Sequence, residues 1–131
     1  DGLEPFVRRT DILVCLLPLT EETRGILNAR LFGLLPEGAM LINAARGEHL
    51  VDDDLLEALT SGRISAATLD VFHEEPLPQN HPFWDHPDVL VTPHVASLID
   101  PAAGGKMIAD NIRRFIAGDE VPDLVDLTKG Y

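Results

Sequence analysis

Residues 39–47, AMLINAARG, decide the fold, because an apolar run ends there in an asparagine, two alanines, an arginine and a glycine. The chain repeats this pattern twice: residues 66–69 run into 70–76 (DVFHEEP), and residues 89–91 run into 92–94 (TPH). Short, continuously apolar runs are typical of strands buried in a parallel sheet. Helical patterns separate these runs, and such alternation predicts an α/β fold with right-handed crossovers.

The other elements follow from periodicity and from residues that begin or end helices. Strands are expected over residues 11–17, 39–44, 64–69 and 89–91. Helices are expected over residues 3–9, 29–35, 53–61 and 101–117, with Asn28 and Asp52 as N-caps and Gly62 and Gly118 as C-terminal stops. The first strand is apolar almost throughout, so it is expected to be buried on both faces. An extended tail over residues 119–131 is expected to follow the last helix.

Composition excludes several classes of function. The 131 residues fit one domain with an appendage, and a net charge of −12 argues against binding to nucleic acid or to an anionic membrane surface. The longest apolar run, residues 12–19, is far shorter than the roughly 20 residues of a membrane-spanning helix. The single Cys15 lies in that run and is expected to be a buried structural thiol, in agreement with a cytoplasmic location.

Arg46, Glu75 and His94 are the residues that point to chemistry. Each follows a predicted strand, and the carboxyl ends of parallel strands form the binding edge of an open α/β sheet. There, an arginine can hold a carboxylate with two hydrogen bonds, and a histidine paired with a carboxylate can exchange a proton near neutral pH. The residues alone leave plainer readings open: a surface arginine, a solvated loop carboxylate and a histidine that ends a strand.

These motifs together resemble the D-2-hydroxyacid dehydrogenases. The resemblance rests on residues 16–20 (LLPLT) with Thr23, on the three polar stretches, and on residues 76–78 (PLP) with 82–84 (PFW). Within the family the chain is most similar to the bacterial type A glyoxylate/hydroxypyruvate reductases, whose chains end in a similar Gly-Tyr. The resemblance implies reduction of a small 2-oxo acid, such as glyoxylate or hydroxypyruvate, by hydride transfer from NADPH or NADH, with NADPH favoured by the subfamily.

The resemblance also implies which part of an enzyme this chain is. Residues 1–99 resemble the second half of a doubly wound, Rossmann-type NAD(P)-binding domain, and residues 100–131 a C-terminal helix and tail. The family's Gly-x-Gly-x-x-Gly phosphate loop and its N-terminal substrate domain have no counterpart in the sequence. We therefore expect a C-terminal part of a longer enzyme, homodimeric when complete, with an open apolar edge at its first strand and little activity alone. The alternative is a non-catalytic remnant or dimerisation module.

The resemblance assigns site residues one by one. It makes Arg46 the substrate-binding arginine, His94 the general acid/base and Glu75 its hydrogen-bonding partner. Residues that match cofactor-binding positions are Pro18, Thr23, Ala44, Ala45, Arg46, Asp70, His94 and Ala96. The remaining histidines, at positions 49, 73, 81 and 86, match no motif and are expected in loops or at the surface. No metal is expected, because His73, His81 and His86 lack a ligand spacing pattern.

Overall fold

The computed structural model describes residues 2–98, 100–122 and 124–126, in two compact units, Asp1–Ala96 and Ser97–Tyr131. In the first unit the elements are α1 (Leu3–Val7), β1 (Ile12–Cys15), α2 (Ala29–Leu34), β2 (Ala39–Asn43), α3 (Asp52–Thr60), β3 (Ile64–Leu69) and β4 (Val89–Val91). Two 3₁₀ turns, Gly47–His49 and Pro82–Trp84, lie in the loops. The second unit contains α4 (Pro101–Ala117).

The four strands form one parallel sheet in the order β1-β2-β3-β4. The predicted α/β fold with a parallel sheet is therefore confirmed. In the register of the sheet, Asn43 pairs with Leu69, and Leu69 pairs with Val91. The last residues of β2, β3 and β4 are thus level, so the polar stretches that follow these three strands leave the sheet at one edge.

One face of the sheet carries the core. Leu13, Leu41 and Leu69 point into a buried cluster that also contains Phe32 of α2 and Leu55 of α3. Burial of each such side chain contributes about 1.5–3 kcal/mol, so this face supplies much of the stability of the unit. Cys15 lies on the same face, and its burial raises the pKa of the thiol, as expected for a structural cysteine.

The opposite face of the sheet is apolar but open. Ile12, Val14, Met40 and Leu90 are 54%, 47%, 46% and 60% exposed, respectively. The prediction that the first strand is buried on both faces is therefore wrong for this chain. The apolar run correctly marked a strand, but burial of the second face requires another element to pack on it.

Most helix boundaries agree with the capping residues. The side chain of Asn28 accepts a hydrogen bond from the Leu31 amide at 3.1 Å, and Gly62 and Gly118 both adopt φ of +75° just after helices α3 and α4. The prediction of Asp52 as an N-cap is wrong. Val51 is the N-cap of α3, and Asp52 is its first helical residue, with its carboxylate directed at two histidines of the 73–81 segment.

Helix α4 is amphipathic, as its sequence predicted. Asp100 caps it by accepting hydrogen bonds from the amides of Ala102 and Ala103. Its apolar residues, Met107, Ile108, Ile112, Phe115 and Ile116, are between 53% and 78% exposed. Part of the predicted tail, residues 123 and 127–131, lies outside the described residues, as does Ile99. Within the described ranges, no helix is long and apolar enough to cross a membrane.

Candidate active site

A fully buried asparagine fixes the turn that carries Arg46. The Asn43 side chain accepts a hydrogen bond from the Ala45 amide at 3.2 Å and donates one to the Arg46 carbonyl at 3.1 Å. Arg46 is an exposed residue just beyond the end of β2, and its guanidinium donates a hydrogen bond to the Ala45 carbonyl at 2.6 Å. The buried Asn43 side chain satisfies the Ala45 amide and the Arg46 carbonyl, so it fixes the backbone from which the Arg46 side chain extends.

Gly47 lets this turn approach the loop that follows β3. A Cβ atom at position 47 would lie 2.0 Å from the Phe72 carbonyl carbon and 2.2 Å from its oxygen. Any side chain there would push the two loops apart, because both contacts are with backbone. The arginine turn and the loop that carries Glu75 are therefore packed backbone to backbone.

Glu75 and His94 form a direct hydrogen bond, as the sequence predicted. Glu75 Oε2 lies 2.8 Å from His94 Nδ1, and Glu75 Oε1 accepts a hydrogen bond from the Phe72 amide at 3.0 Å. The hydrogen bond with His94 contributes most to holding the pKa of the Glu75 carboxyl below its ordinary value, and the bond from the Phe72 amide comes next. The positive charge of Arg46 lowers this pKa further. The three residues thus form one electrostatic group at the carboxyl ends of β2, β3 and β4.

His94 adopts a left-handed backbone conformation, with φ of 53°. This conformation costs a residue other than glycine about 1–2 kcal/mol, so the surrounding structure must enforce it. Asp70 does so by accepting hydrogen bonds from the amides of Val95 and Ala96, at 2.9 and 2.8 Å, and from the Thr92 hydroxyl. The loop that presents the His94 ring is therefore tied to the end of β3.

The pKa of Asp70 reflects the same arrangement. Burial, which leaves the residue 3% exposed, raises the pKa of the carboxyl, but the three hydrogen bonds outweigh burial and lower it overall. Asp70 is thus an ionised anchor whose two oxygens both accept bonds from the His94 loop. The sequence did not reveal this role, because its partners lie 22 to 26 residues away. Contact between Asp70 and a cofactor stays a prediction.

A cleft of about 410 Å³ opens beside the Glu75–His94 pair. Apart from that pair, its lining consists of apolar or aromatic residues: Phe72, Pro76, Leu77, Trp84, Val91 and Pro93. The Trp84 indole N–H donates to the Pro78 carbonyl at 2.9 Å, which fixes the ring. The cleft therefore places an apolar wall beside the Glu75–His94 pair, while the two side chains stay 37% and 46% exposed to solvent.

Pro18 and Thr23, which were predicted to contact the cofactor, are hydrogen-bonded to each other within the 18–23 loop. The Thr23 hydroxyl donates to the Pro18 carbonyl at 2.7 Å and accepts from the Thr20 amide at 2.8 Å. Thr23 therefore shapes this loop, whatever else it contacts. At the end of β2, Ala44 is partly exposed, whereas the methyl group of Ala45 lies in the core. The cofactor contacts assigned to these residues and to Ala96 stay predictions.

Three further histidines, at positions 49, 73 and 81, lie outside the Glu75–His94 pair. His49 was expected in a loop or at the surface; it lies in a loop, in the 3₁₀ turn Gly47–His49, but it is fully buried there. His73 and His81 lie on either side of Asp52, with Nε2 atoms 3.6 and 3.5 Å from its carboxylate oxygens. In the part of the chain that the structure describes, no group of three or more histidine, cysteine, aspartate or glutamate side chains could hold a metal ion.

Comparison with known proteins identifies the family. The profile of the D-isomer specific 2-hydroxyacid dehydrogenase NAD-binding domain matches residues 1–96. The chain belongs to this family. It is 54% identical to glyoxylate/hydroxypyruvate reductase A of Serratia proteamaculans over 126 residues, which are 96% of this chain and 40% of the relative. It is 49% identical to the Yersinia enterocolitica protein of the same name over 131 residues, or 42% of that relative. The chain thus spans about two fifths of the curated relatives it matches.

Solved structures agree with this assignment. A D-isomer specific 2-hydroxyacid dehydrogenase of Xanthobacter autotrophicus, in complex with NADPH and MES, superposes with a TM-score of 0.95 at 48% identity, over 99% of this chain and 54% of that one. An NADPH-dependent glyoxylate/hydroxypyruvate reductase of Sinorhizobium meliloti, in complex with NADP and sulfate, has a TM-score of 0.94 at 47% identity, over 99% of this chain and 43% of that one. The Rossmann-like fold class predicted from the sequence is confirmed.

Proposed function

We propose that this chain is the proton-transfer and carboxylate-binding part of an NADPH-dependent reductase that converts glyoxylate or hydroxypyruvate to the 2-hydroxy acid. The observation that carries the proposal is the 2.8 Å bond between Glu75 and His94 at the carboxyl ends of parallel strands, next to Arg46. A proton donor and a carboxylate-binding cation at this edge are the two groups that reduction of a 2-oxo acid requires of a protein.

The proposed roles follow from the geometry. Arg46 holds the substrate carboxylate with its planar guanidinium and polarises the adjacent carbonyl. His94 uses Nδ1 for Glu75, so the ring presents Nε2 to the substrate and donates its proton from that atom to the carbonyl oxygen. Glu75 fixes the ring orientation and stabilises the imidazolium before the transfer. In the reverse direction His94 accepts the hydroxyl proton.

The residues at this edge fit the nicotinamide half of the cofactor. The carboxyl ends of parallel strands are where α/β sheets bind dinucleotides, and partly exposed Ala44 leaves the end of β2 free of a large side chain. When bound, the reduced dinucleotide supplies the hydride. The Xanthobacter and Sinorhizobium proteins, in complex with NADPH and NADP, support NADPH over NADH.

The proposal extends to the complete protein. Because the chain spans only 40% of the Serratia relative, we propose that the chain alone binds the dinucleotide weakly and does not turn over substrate. The sequence contains no Gly-x-Gly-x-x-Gly loop to hold the pyrophosphate. The family resemblance supports a homodimer, and the single buried cysteine agrees with a reducing cytoplasm.

The test is a chimera in which this chain replaces the matched segment of the Serratia relative, called here the complete chimera. We expect NADPH oxidation with glyoxylate and with hydroxypyruvate, followed at 340 nm, and micromolar affinity for NADPH by calorimetry. The 131-residue chain alone, assayed in parallel, should show neither. The unmodified Serratia relative serves as the positive control.

Two results would contradict the proposal. A folded complete chimera that binds NADPH but reduces neither acid would favour the alternative of a non-catalytic module. Micromolar binding of NADPH by the chain alone would show that the remaining three fifths of the relatives' length is not needed to hold the cofactor. Circular dichroism and size-exclusion chromatography establish beforehand that both proteins are folded.

A further inference from the structure

His49 is a fully buried histidine outside the Arg46, Glu75 and His94 group. It ends the 3₁₀ turn Gly47–His49, which follows Arg46 directly. Its ring lies between two loops: Nδ1 is 3.2 Å from the Arg46 amide nitrogen, and Nε2 is 3.2 Å from the Pro18 carbonyl oxygen. A side chain that bridges loops 31 residues apart links the turn of the proposed substrate arginine to the proposed cofactor loop.

The partners of His49 decide its tautomer. The Pro18 carbonyl can only accept, so Nε2 must carry a proton and donate it. The Arg46 carbonyl, 3.1 Å from Nδ1, already accepts hydrogen bonds from the Asn43 side chain and from the His49 amide. Nδ1 is therefore the acceptor for the Arg46 amide. Both ring nitrogens are satisfied in one neutral tautomer, which leaves no polar atom of this buried ring without a partner.

Backbone hydrogen bonds make the connection stiff. The amides of Gly25 and Leu27 donate to the carbonyls of Glu48 and His49, both at 2.9 Å, and Leu27 forms a parallel bridge with Leu50. The 3₁₀ turn is thus attached to the segment that follows the 18–23 loop. On the other side, Gly47 packs against the Phe72 backbone. The His49 ring adds a direct side-chain link from this turn to the Pro18 carbonyl and to the Arg46 amide.

We propose that His49 is a positioning residue that holds the Arg46 turn and the Pro18 loop in fixed register, and so sets where the substrate carboxylate lies relative to the nicotinamide. The proposal rests on the proposed function, because Arg46 and Pro18 have their substrate and cofactor roles only there. His49 itself touches neither reactant. Its effect on rate comes through geometry, since a displacement of about 1 Å can cost about 100-fold in rate.

Two amide variants separate the two ends of the bridge. In His49→Asn the side-chain oxygen occupies the position of Nδ1 and can accept from the Arg46 amide, but nothing reaches Pro18. In His49→Gln the amide nitrogen reaches the position of Nε2 and can donate to the Pro18 carbonyl, but the bond to Arg46 is lost. His49→Phe keeps the ring volume and loses both bonds. All three are to be made in the complete chimera.

The variants should divide the kinetic effects. We expect His49→Gln to lower kcat for glyoxylate about 10- to 100-fold, since the carboxylate anchor moves, with the KM for NADPH within about 2-fold. We expect His49→Asn to raise the dissociation constant of NADPH about 5- to 10-fold, as loss of one hydrogen bond implies, with kcat within about 3-fold. His49→Phe should combine both losses.

A purely structural role gives a different result. If Asn and Gln lower kcat and NADPH affinity in the same proportion, or if neither changes them, His49 does not position the two loops separately and the proposal is wrong, although the proposed function stands. Nitrogen NMR of ¹⁵N-histidine-labelled chimera provides a test without variants: the Nε2–H tautomer is expected, and the Nδ1–H tautomer would overturn the proposal. If the unmodified chimera reduces neither acid, the proposed function fails, and the NADPH affinities of the two amide variants still test the Pro18 end.

Discussion

Among the residues that the structure describes, two clusters of histidine and carboxylate side chains resemble each other in composition and differ in their hydrogen bonding. In the Glu75 cluster, defined as Glu75 and His94 and proposed above to be catalytic, the carboxylate oxygen and the ring nitrogen are 2.8 Å apart. In the Asp52 cluster, defined as Asp52, His73 and His81, the shortest distances between carboxylate and ring nitrogen are 3.5 and 3.6 Å. His73 directs Nε2 to the Leu50 carbonyl at 2.9 Å instead.

The pKa shifts of the two carboxyl groups have opposite signs. Hydrogen bonds from His94 and from the Phe72 amide lower the pKa of Glu75. Burial raises the pKa of Asp52, and the nearby His73 and His81 offset this only in part. Composition and a cleft are therefore not enough to define a proton-transfer site. The Glu75 cluster differs from the Asp52 cluster in its short direct hydrogen bond, in the second donor on its carboxylate and in the left-handed backbone that orients its histidine ring.

The largest expected effect on kcat comes from replacing His94, compared with replacing a histidine of the Asp52 cluster. His94→Asn in the complete chimera should lower kcat by about 1,000-fold, within the range for loss of a general acid. His81→Asn is the matched control and should change kcat by less than about 3-fold, because His81 contacts Asp52 and Phe83 rather than Glu75 or His94. Steady-state kinetics with glyoxylate from pH 5 to 9 measure both, and the pH dependence due to the His94–Glu75 pair should disappear in the first variant only. Equal losses would remove the distinction between the clusters.

Arg46 belongs to the surroundings of the Glu75 cluster, because its positive charge lowers the pKa of the Glu75 carboxyl. Arg46→Lys keeps one positive charge but removes the planar, two-pronged donor. We expect kcat/KM for glyoxylate to fall about ten- to several-hundred-fold, in line with the loss of a charge-assisted hydrogen bond worth about 1.5–3 kcal/mol. Arg30→Lys, on the exposed side of α2, is the control. Near-wild-type kcat/KM in Arg46→Lys would exclude Arg46 from the substrate site.

Asp70 and Asp52 should also contribute differently to the free energy of unfolding. Asp70→Asn replaces an ionised acceptor of three bonds with an amide that cannot accept them all, so the free energy of unfolding should fall by about 2–3 kcal/mol. Asp52→Asn should change it by less than about 0.5 kcal/mol, since its raised pKa shows that the charged form is not favoured there. Urea unfolding at pH 7, followed by fluorescence of Trp84, measures both. If both variants lose a similar amount of unfolding free energy, the proposed difference between Asp70 and Asp52 is wrong.

The smallest effect is the response of stability to acid. Because folding lowers the pKa of Asp70 and Glu75, their contribution is complete above the unfolded-state pKa of about 4 and is lost as the pH falls through the lower folded-state values. Asp52 acts in the opposite direction, since folding raises its pKa and acid relieves its burial. Urea titrations at pH 6, 5, 4 and 3 should therefore show a flatter decline in Asp70→Asn and a steeper decline in Asp52→Asn.

Sequence reasoning was most accurate where the signal is local. The apolar runs located all four strands, and Asn28, Gly62 and Gly118 marked helix ends. The first strand is Ile12–Cys15 rather than the predicted residues 11–17, because its pairing with β2 ends at Cys15 although apolar residues continue beyond it. The order of the motifs also predicted that Glu75 lies close to His94. Each residue follows a strand, and the parallel register places the ends of these two strands side by side.

The amino-acid sequence by itself determined the parallel α/β fold, the edge at which Arg46, Glu75 and His94 leave the sheet, and the family. Only the tertiary structure decided that His49 is buried between Arg46 and Pro18, that Asp70 anchors the His94 loop, and that one sheet face is open. The physical reason is the range of the interactions. Strand periodicity and capping depend on neighbouring residues, whereas a buried ring or carboxylate is defined by donors and acceptors that folding brings from 22 to 31 residues away.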